Sequence, residues 1–235
     1  MAIKAVLFDL DGTLLPMDQD LFMKYYFYEL TKKLVPLGYN KNTLVNDVWA
    51  GTKAMVMNDG SRTNADAFWD RFEQLTGRDC RKDEPVFDSF YRTEFCKARE
   101  ACRPAAAARE VIDFIKASGK RLILATNPLF PFVATSNRIG WAGLSTTDFE
   151  WITTYENSHY CKPNPDYYTE ILEKTGLLPE ECLMVGNNAE EDMIAETLGM
   201  KVFLLTDCLI NEKNTDISGY PQGGFDKLTE FLTNL

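Results

Sequence analysis

The sequence predicts an α/β fold: a doubly wound parallel sheet in a three-layer α/β/α core, with an α-helical cap domain inserted early in the chain. Three observations carry this reading. Short apolar runs without polar alternation, such as residues 3–8 and Leu122-Ile123-Leu124-Ala125, read as strands buried on both faces. From Pro104 onward such runs alternate with helical patterns, which implies right-handed parallel crossovers. Between the first two runs lie more than a hundred residues with helical periodicity only.

The first strand is expected over residues 3–8 and ends in Asp9-Leu10-Asp11-Gly12-Thr13. Phe22, Tyr26, Leu30 and Leu34 then recur every fourth residue, and Phe68, Phe72 and Leu75 follow at i, i+4 and i+7. Gly38, Gly60 and Gly77 punctuate these helices, with Asn64 and Asp83 placed as N-caps. Residues 18–102 are therefore expected to form the cap, and residues 1–17 and 103–235 the core. A helix through Val111, Ile112 and Ile115 leads to the strand at Leu122; a further helix follows Pro131, and a weaker strand falls near 149–153. Asn164-Pro165-Asp166 combines a cap, an N1 proline and an acidic first turn, opening a helix that buries Tyr168, Ile171, Leu172 and Thr175. A strand at 183–185, a helix ending near Gly199, a strand at 202–205 and a helix at 225–232 complete the order.

At 235 residues, with 45% hydrophobic and 26% charged residues, the chain has the composition of a globular protein with a sizeable core. A formal net charge of -10 argues against nucleic acid or an anionic membrane as partner. No apolar run approaches the roughly 20 residues that span a bilayer. Met1-Ala2-Ile3-Lys4 runs straight into a strand, so no secretory signal is expected. The six cysteines form no C-x-x-C pair and are expected as free thiols, with the cytoplasm as default compartment. Oligomeric state leaves no mark on the sequence.

Four polar segments follow strands or precede a capped helix, and a parallel sheet puts all of them on one edge. They are Asp9 and Asp11, then Thr126-Asn127-Pro128, then Lys162 in Cys161-Lys162-Pro163, and Gly186-Asn187-Asn188-Ala189-Glu190-Glu191-Asp192. Residues two apart on a strand share a face, so Asp9 and Asp11 would do so if the strand ran through them. Gly12 indicates that the backbone turns there.

This set resembles the haloacid dehalogenase-like superfamily of aspartate-dependent phosphatases, in the family's order and approximate spacing. Phe8-Asp9-Leu10-Asp11-Gly12-Thr13-Leu14 is the most specific segment. The resemblance implies that Asp9 attacks phosphorus to form an aspartyl-phosphate, and that Asp11 protonates the leaving oxygen and later deprotonates water. It implies that Thr126, with the Asn127 N–H, binds a phosphoryl oxygen, and that Lys162 offsets the charge around the transferred group. Two unit charges about 4 Å apart interact by about 4 kcal/mol at an effective dielectric near 20, so one lysine is too little, and Mg²⁺ is the expected cofactor. The resemblance places the ion at the Asp9 carboxylate, the Asp11 backbone carbonyl and the loop after Val185, where Asn187 and Asp192 are the candidate ligands.

That loop departs from the family pattern, since Asn187 stands where an aspartate is usual; weaker metal binding is expected. Glu191 and Asp192 are placed to supply the missing charge or to hold Lys162. Asp11 separates this chain from dehalogenases, which lack an acid there. A small phosphorylated metabolite is the expected substrate, a sugar phosphomutase the enzymatic alternative, and a regulatory protein on an inactive core the alternative from another class. His159 and Cys161 are expected to take no part in catalysis.

Overall fold

The computed structural model describes residues 2–235. The chain starts with strand β1 (Ala5–Phe8), then helices α1 (Gln19–Leu34), α2 (Leu44–Val56), α3 (Asn64–Thr76) and α4 (Glu84–Arg92). After a 3-10 segment at Glu94–Ala101 come α5 (Ala106–Ala117), β2 (Arg121–Leu124), α6 (Phe132–Trp141), β3 (Trp151–Ile152) and α7 (Pro165–Thr175). Strands β4 (Cys182–Gly186), β5 (Lys201–Leu205) and β6 (Gln222–Gly223) and helix α8 (Phe225–Thr233) end the order.

All pairs in the six-stranded sheet are parallel, in the order β3-β2-β1-β4-β5-β6. Alternate residues serve opposite faces. Val6, Phe8, Leu122, Leu124, Leu183 and Val185 join one apolar cluster, and Ala5, Leu7, Ile123, Cys182 and Met184 join the other. With both faces covered, β1, β2 and β4 have no reason to alternate polar and apolar residues. The sheet winds in opposite directions from β1, so the carboxyl ends of β1 and β4 flank the crevice where such sheets bind ligands.

The helical stretch meets the core through α6, against which α4 and the 94–101 segment pack. Phe22, Tyr26, Leu30 and Leu34 of α1 are buried, in an apolar cluster continuous with Val6 and Phe8. The segments leading into and out of this stretch run side by side: the Asp18 N–H donates to the Ala101 carbonyl at 2.9 Å and the Arg103 N–H to the Pro16 carbonyl at 2.8 Å.

Several local expectations differ from the structure for identifiable reasons. Thr63, not Asn64, caps α3, accepting from the Asp66 N–H; Asn64 is buried and receives the Asn58 amide instead. The Asp83 carboxylate makes no cap bond and accepts from the Tyr39 hydroxyl at 2.8 Å. Leu75 is exposed, because the buried stripe of α3 ends at Phe72, before the last turn of the helix. In α7 the expected cap at Asn164 forms, but Tyr167 is buried and Thr175 is only half-buried, satisfying its hydroxyl on the Ile171 carbonyl. The segment before Gly199 is 3-10 rather than α, and β6 has no apolar run to announce it. Among the described residues all six cysteines are free, and no helix is long and apolar enough to cross a membrane.

Candidate active site

Strand β1 stops at Phe8, but the Asp9 N–H still donates to the Val185 carbonyl at 2.9 Å, so the Asp9 backbone is tied to the end of β4. The chain then turns through Gly12 at φ +84°, a conformation that L side chains rarely adopt. A Cβ at Gly12 would also collide with the Asn187 side chain, and one at Gly186 with the Asp192 carboxylate. These two glycines let the loops after β1 and β4 approach closely enough to share a site.

Lys162 enters this space from the segment ahead of α7, with its side chain 1% exposed. Its ammonium donates to Asp9 Oδ1 at 2.9 Å and to Asp192 Oδ1 at 2.6 Å. Burial alone would lower the lysine pKa, but Asp192 and Asp9 outweigh it and hold the ammonium well above its ordinary value. The other Asp192 oxygen accepts the Asn188 N–H at 2.9 Å, so both oxygens of that carboxylate are engaged.

Asn187 is 1% exposed, and its side chain reaches the loop after β1 at Thr13. The Thr13 hydroxyl lies 2.8 Å from Asn187 Oδ1 and 3.4 Å from Asp9 Oδ2, bringing these oxygens around one point. The Asn187 amide donates to the Cys208 carbonyl at 2.7 Å. Asn188 instead shapes the loop, its Oδ1 accepting the Glu190 and Glu191 N–H groups.

Thr126 follows β2 and is 2% exposed. Its carbonyl accepts the Thr153 hydroxyl at 2.6 Å and the Tyr167 hydroxyl at 2.8 Å, which fixes the backbone carrying Thr126 and Asn127. Asn127 Nδ2 donates to Glu191 Oε2 at 3.1 Å, while its buried Oδ1 has no partner among the described residues. Burial raises the Glu191 pKa to about 7, against the opposing pull of Lys162.

Asp11 feels both Asp9 and Lys162 but has a cation partner of its own. Its carboxylate pairs with Arg138 of α6, a side chain 1% exposed. Arg138 also donates to the Thr135 hydroxyl at 3.2 Å and lies 4.5 Å from the Phe130 ring centroid. Burial raises the Asp11 pKa, partly offset by Arg138. Among the described residues, Asp11 Oδ1 and Arg138 Nε lack hydrogen-bond partners. The condition for a shared face is not met, because the strand ends at Phe8 and the chain turns from Leu10, whose carbonyl accepts the Thr13 and Leu15 N–H groups.

Thus Asp9, Lys162, Asp192 and Asn187 come together, Thr126 and Asn127 border them through Glu191 and Tyr167, and Asp11 stands to one side with its own cation. Sequence reasoning missed Arg138 and the linking role of Thr13. The signal for Arg138 was an arginine on the buried stripe of a helix, beside Ala134, Thr135 and Ile139, where a charge requires a partner. His159 pairs with Glu170 at 2.6 Å, away from these groups, and the buried Cys161 receives the Asn64 amide at 3.3 Å.

Comparison with known proteins agrees with this architecture. The sequence model of the haloacid dehalogenase-like hydrolases matches residues 3–195. The phosphoglycolate phosphatase of Shigella sonnei (strain Ss046) is 26% identical over 218 residues, covering 84% of this chain and 79% of that protein. The pyrophosphatase PpaX of Bacillus velezensis is 24% identical over 199 residues, covering 85% and 81%. Among solved structures, a 2-haloacid dehalogenase from Pseudomonas syringae pv. Tomato DC3000 superposes with a TM-score of 0.65 at 19% identity over 99% of both chains, a likeness of fold. With a family match over most of its length and the parallel sheet and strand-end loops in place, the chain belongs to the haloacid dehalogenase-like hydrolases.

Proposed function

We propose that this hydrolase is a Mg²⁺-dependent phosphatase that cleaves a small phosphomonoester through an aspartyl-phosphate on Asp9. The observation that carries the reading is the buried Lys162 ammonium, which holds one Asp9 oxygen at 2.9 Å and leaves the other beside Thr13 and Asn187. A carboxylate so fixed loses little freedom when it attacks phosphorus.

In the proposed reaction Asp9 bonds to phosphorus as the bond to the leaving oxygen breaks. Asp11, protonated at the outset, gives its proton to that oxygen. A water then attacks the phosphoryl group, Asp11 takes back a proton, and the bond to Asp9 breaks to free phosphate. The raised Asp11 pKa supports its role as proton donor. Thr126 and the Asn127 N–H bind phosphoryl oxygens, and Asp192 serves chiefly by holding Lys162, since both its oxygens are engaged. The residues 18–102 act as a cap that excludes water while the phosphoryl group is transferred.

Asp9, Asp192 and Lys162, the charges gathered at the point of attack, together carry one net negative charge. An arriving phosphate therefore needs a further cation. The residues fit Mg²⁺: Asp9 Oδ2 and Asn187 Oδ1 converge on the Thr13 hydroxyl, and such hard oxygen donors suit that ion. Asp9 and Asn187, with the Asp11 backbone carbonyl implied by the family resemblance, would hold it. The ion would neutralise phosphoryl charge.

Phosphate release from the phosphomonoester para-nitrophenyl phosphate with Mg²⁺ tests the proposal. Asp9→Asn is expected to lower the rate by about a thousandfold or more. Equal rates for the variant and the wild-type protein would refute it.

A further inference from the structure

Asp9 and Asn187 are placed by the sheet, since the Asp9 N–H bonds to the Val185 carbonyl and Asn187 directly follows β4. Lys162 is placed differently. It stands ten residues beyond the end of β3 at Ile152, in a segment outside the six strands. Its own segment supplies one tie, the Asn164 N–H bond to the Cys161 carbonyl at 3.0 Å.

A second tie comes from the helical stretch. Asn64, in the first turn of α3, lies 96 residues before Tyr160 and is fully buried. Its Nδ2 donates to the Tyr160 carbonyl at 3.2 Å and to Cys161 Sγ at 3.3 Å. Its Oδ1 accepts the Asn58 amide at 2.9 Å, and Asn58 Nδ2 also donates to the Arg62 carbonyl at 2.8 Å. The backbone joins in, with the Asn64 N–H on the Ser158 carbonyl and the Ala65 N–H on the Tyr155 carbonyl, both at 2.8 Å. At Gly60 the loop between α2 and α3 comes so close to the Tyr160 ring that a Cβ would collide with it.

Burying an amide costs free energy unless its polar ends are bonded. Packing alone would be served by an apolar side chain, as α3 uses at Phe68 and Phe72. Asn64 instead bonds the loop at one end and, at the other, the peptide group between Tyr160 and Cys161, just ahead of Lys162. Cys161 is thus held from both sides, by Asn64 before it and by Asn164 after it. From that fixed backbone the Lys162 side chain reaches Asp9 and Asp192.

Resting on the phosphatase reading above, we propose that Asn64 is a positioning residue for that reaction: through the Tyr160 carbonyl it sets the place of Lys162, and so the hold of the ammonium on Asp9. Misplacing a group at a reacting centre by about 1 Å costs as much as about a hundredfold in rate.

Three variants and two measurements test this. Asn64→Leu keeps the size of the side chain and removes both polar ends. Asn58→Ala keeps Asn64 but removes the amide that orients it. Thr63→Ala removes the cap of α3, whose bond goes to the Asp66 N–H and not to the Lys162 segment. The measurements are steady-state hydrolysis of para-nitrophenyl phosphate with Mg²⁺, and labelling of Lys162 by reductive methylation of the folded, metal-free protein, read by mass spectrometry. Asn64→Leu is expected to lower kcat at least about tenfold with KM within about twofold, and to raise Lys162 labelling at least about fivefold. Asn58→Ala is expected to move both in the same direction by about threefold, and carries the test should Asn64→Leu not fold. Thr63→Ala is expected to leave both within about twofold of wild type. Equal effects of Thr63→Ala and Asn64→Leu would reduce Asn64 to an anchor of α3 and overturn the proposal. Unchanged kcat or unchanged labelling in the Asn64 and Asn58 variants would overturn it as well. In each of these cases Asp9-dependent hydrolysis by the wild-type protein leaves the phosphatase reading standing. If wild-type hydrolysis does not depend on Asp9, that reading fails and takes the proposal with it.

Discussion

Asp9 and Asp11 belong to one short loop, and each faces a cation, yet the two surroundings differ in kind. Around Asp9 the partners come from loops anchored to the sheet: Lys162 ahead of α7, and Asp192 and Asn187 after β4. Both ends of the Lys162–Asp192 pair are 1% exposed. Around Asp11 the partner comes from α6, beside the helical stretch, and the Asp11 side chain is 26% exposed. Arg138 is fully buried there, yet one atom on each side of the pair has no partner among the described residues. The first region suits a nucleophile that must stay still. The second suits a group that must exchange protons with a leaving oxygen and then with water.

The largest expected effect breaks the first region. Lys162→Met would leave Asp9 and Asp192 as neighbouring buried carboxylates, costing about 3 to 5 kcal/mol of stability. Urea unfolding measures this, and a loss below about 1 kcal/mol would contradict the buried-triad picture.

A pH effect sharpens the same region. The unfolded chain releases the Glu191 proton near its ordinary value of 4.5, whereas the folded chain keeps it to about 7. Between those values the folded state binds more protons, so the Glu191 contribution to stability falls as pH rises through the window and is level above it. With allowance for solvent contact, the loss from pH 4.5 to pH 8 is about 2 kcal/mol in metal-free buffer. Glu191→Gln should reduce the measured slope, the remainder coming from Asp192 and Asp11, which burial also raises; an unchanged slope would assign all of it to those groups.

The second region should respond less in stability and more in turnover. Arg138→Met is expected to cost about 1 to 2 kcal/mol, because water can reach the partly exposed Asp11, and to lower kcat about ten- to a hundredfold with little change in KM. Arg138→Lys should restore part of kcat. A change confined to KM would show that the pair serves binding instead.

The smallest effect belongs to Asn187→Asp. An added carboxylate should lower the Mg²⁺ concentration for half-activation about threefold. It would also remove the donor to the Cys208 carbonyl, costing about 1 kcal/mol. An unchanged half-activation concentration would detach Asn187 from the metal.

Much of the core is legible in the amino-acid order alone. Strands buried on both faces are uninterrupted apolar runs, so β1, β2, β4 and β5 announce themselves, and β3 does so more weakly. β6 does not, because its two residues, Gln222 and Gly223, are held by backbone bonds to β5 and need no apolar side chain. The cap residue of α3 is misplaced by one because Thr63 and Asn64 are both good N-caps, and only the demand for a buried amide beside Asn58 separates them. Lys162 can be found from its place before a capped helix. The Arg138–Asp11 pair spans 127 residues and lies outside any local pattern.

The sequence by itself determined the parallel core, the helical insertion and the residue types gathered at the strand ends, because burial periodicity and turn chemistry are local and repeat along the chain. Only the tertiary structure decided which charges meet. Asp9 and Asp11 are neighbours in sequence, but the chain leaves the strand at Phe8 and turns from Leu10, and one meets Lys162 while the other meets Arg138. Pairing of buried charges depends on distances across elements remote in the chain, which no local pattern encodes.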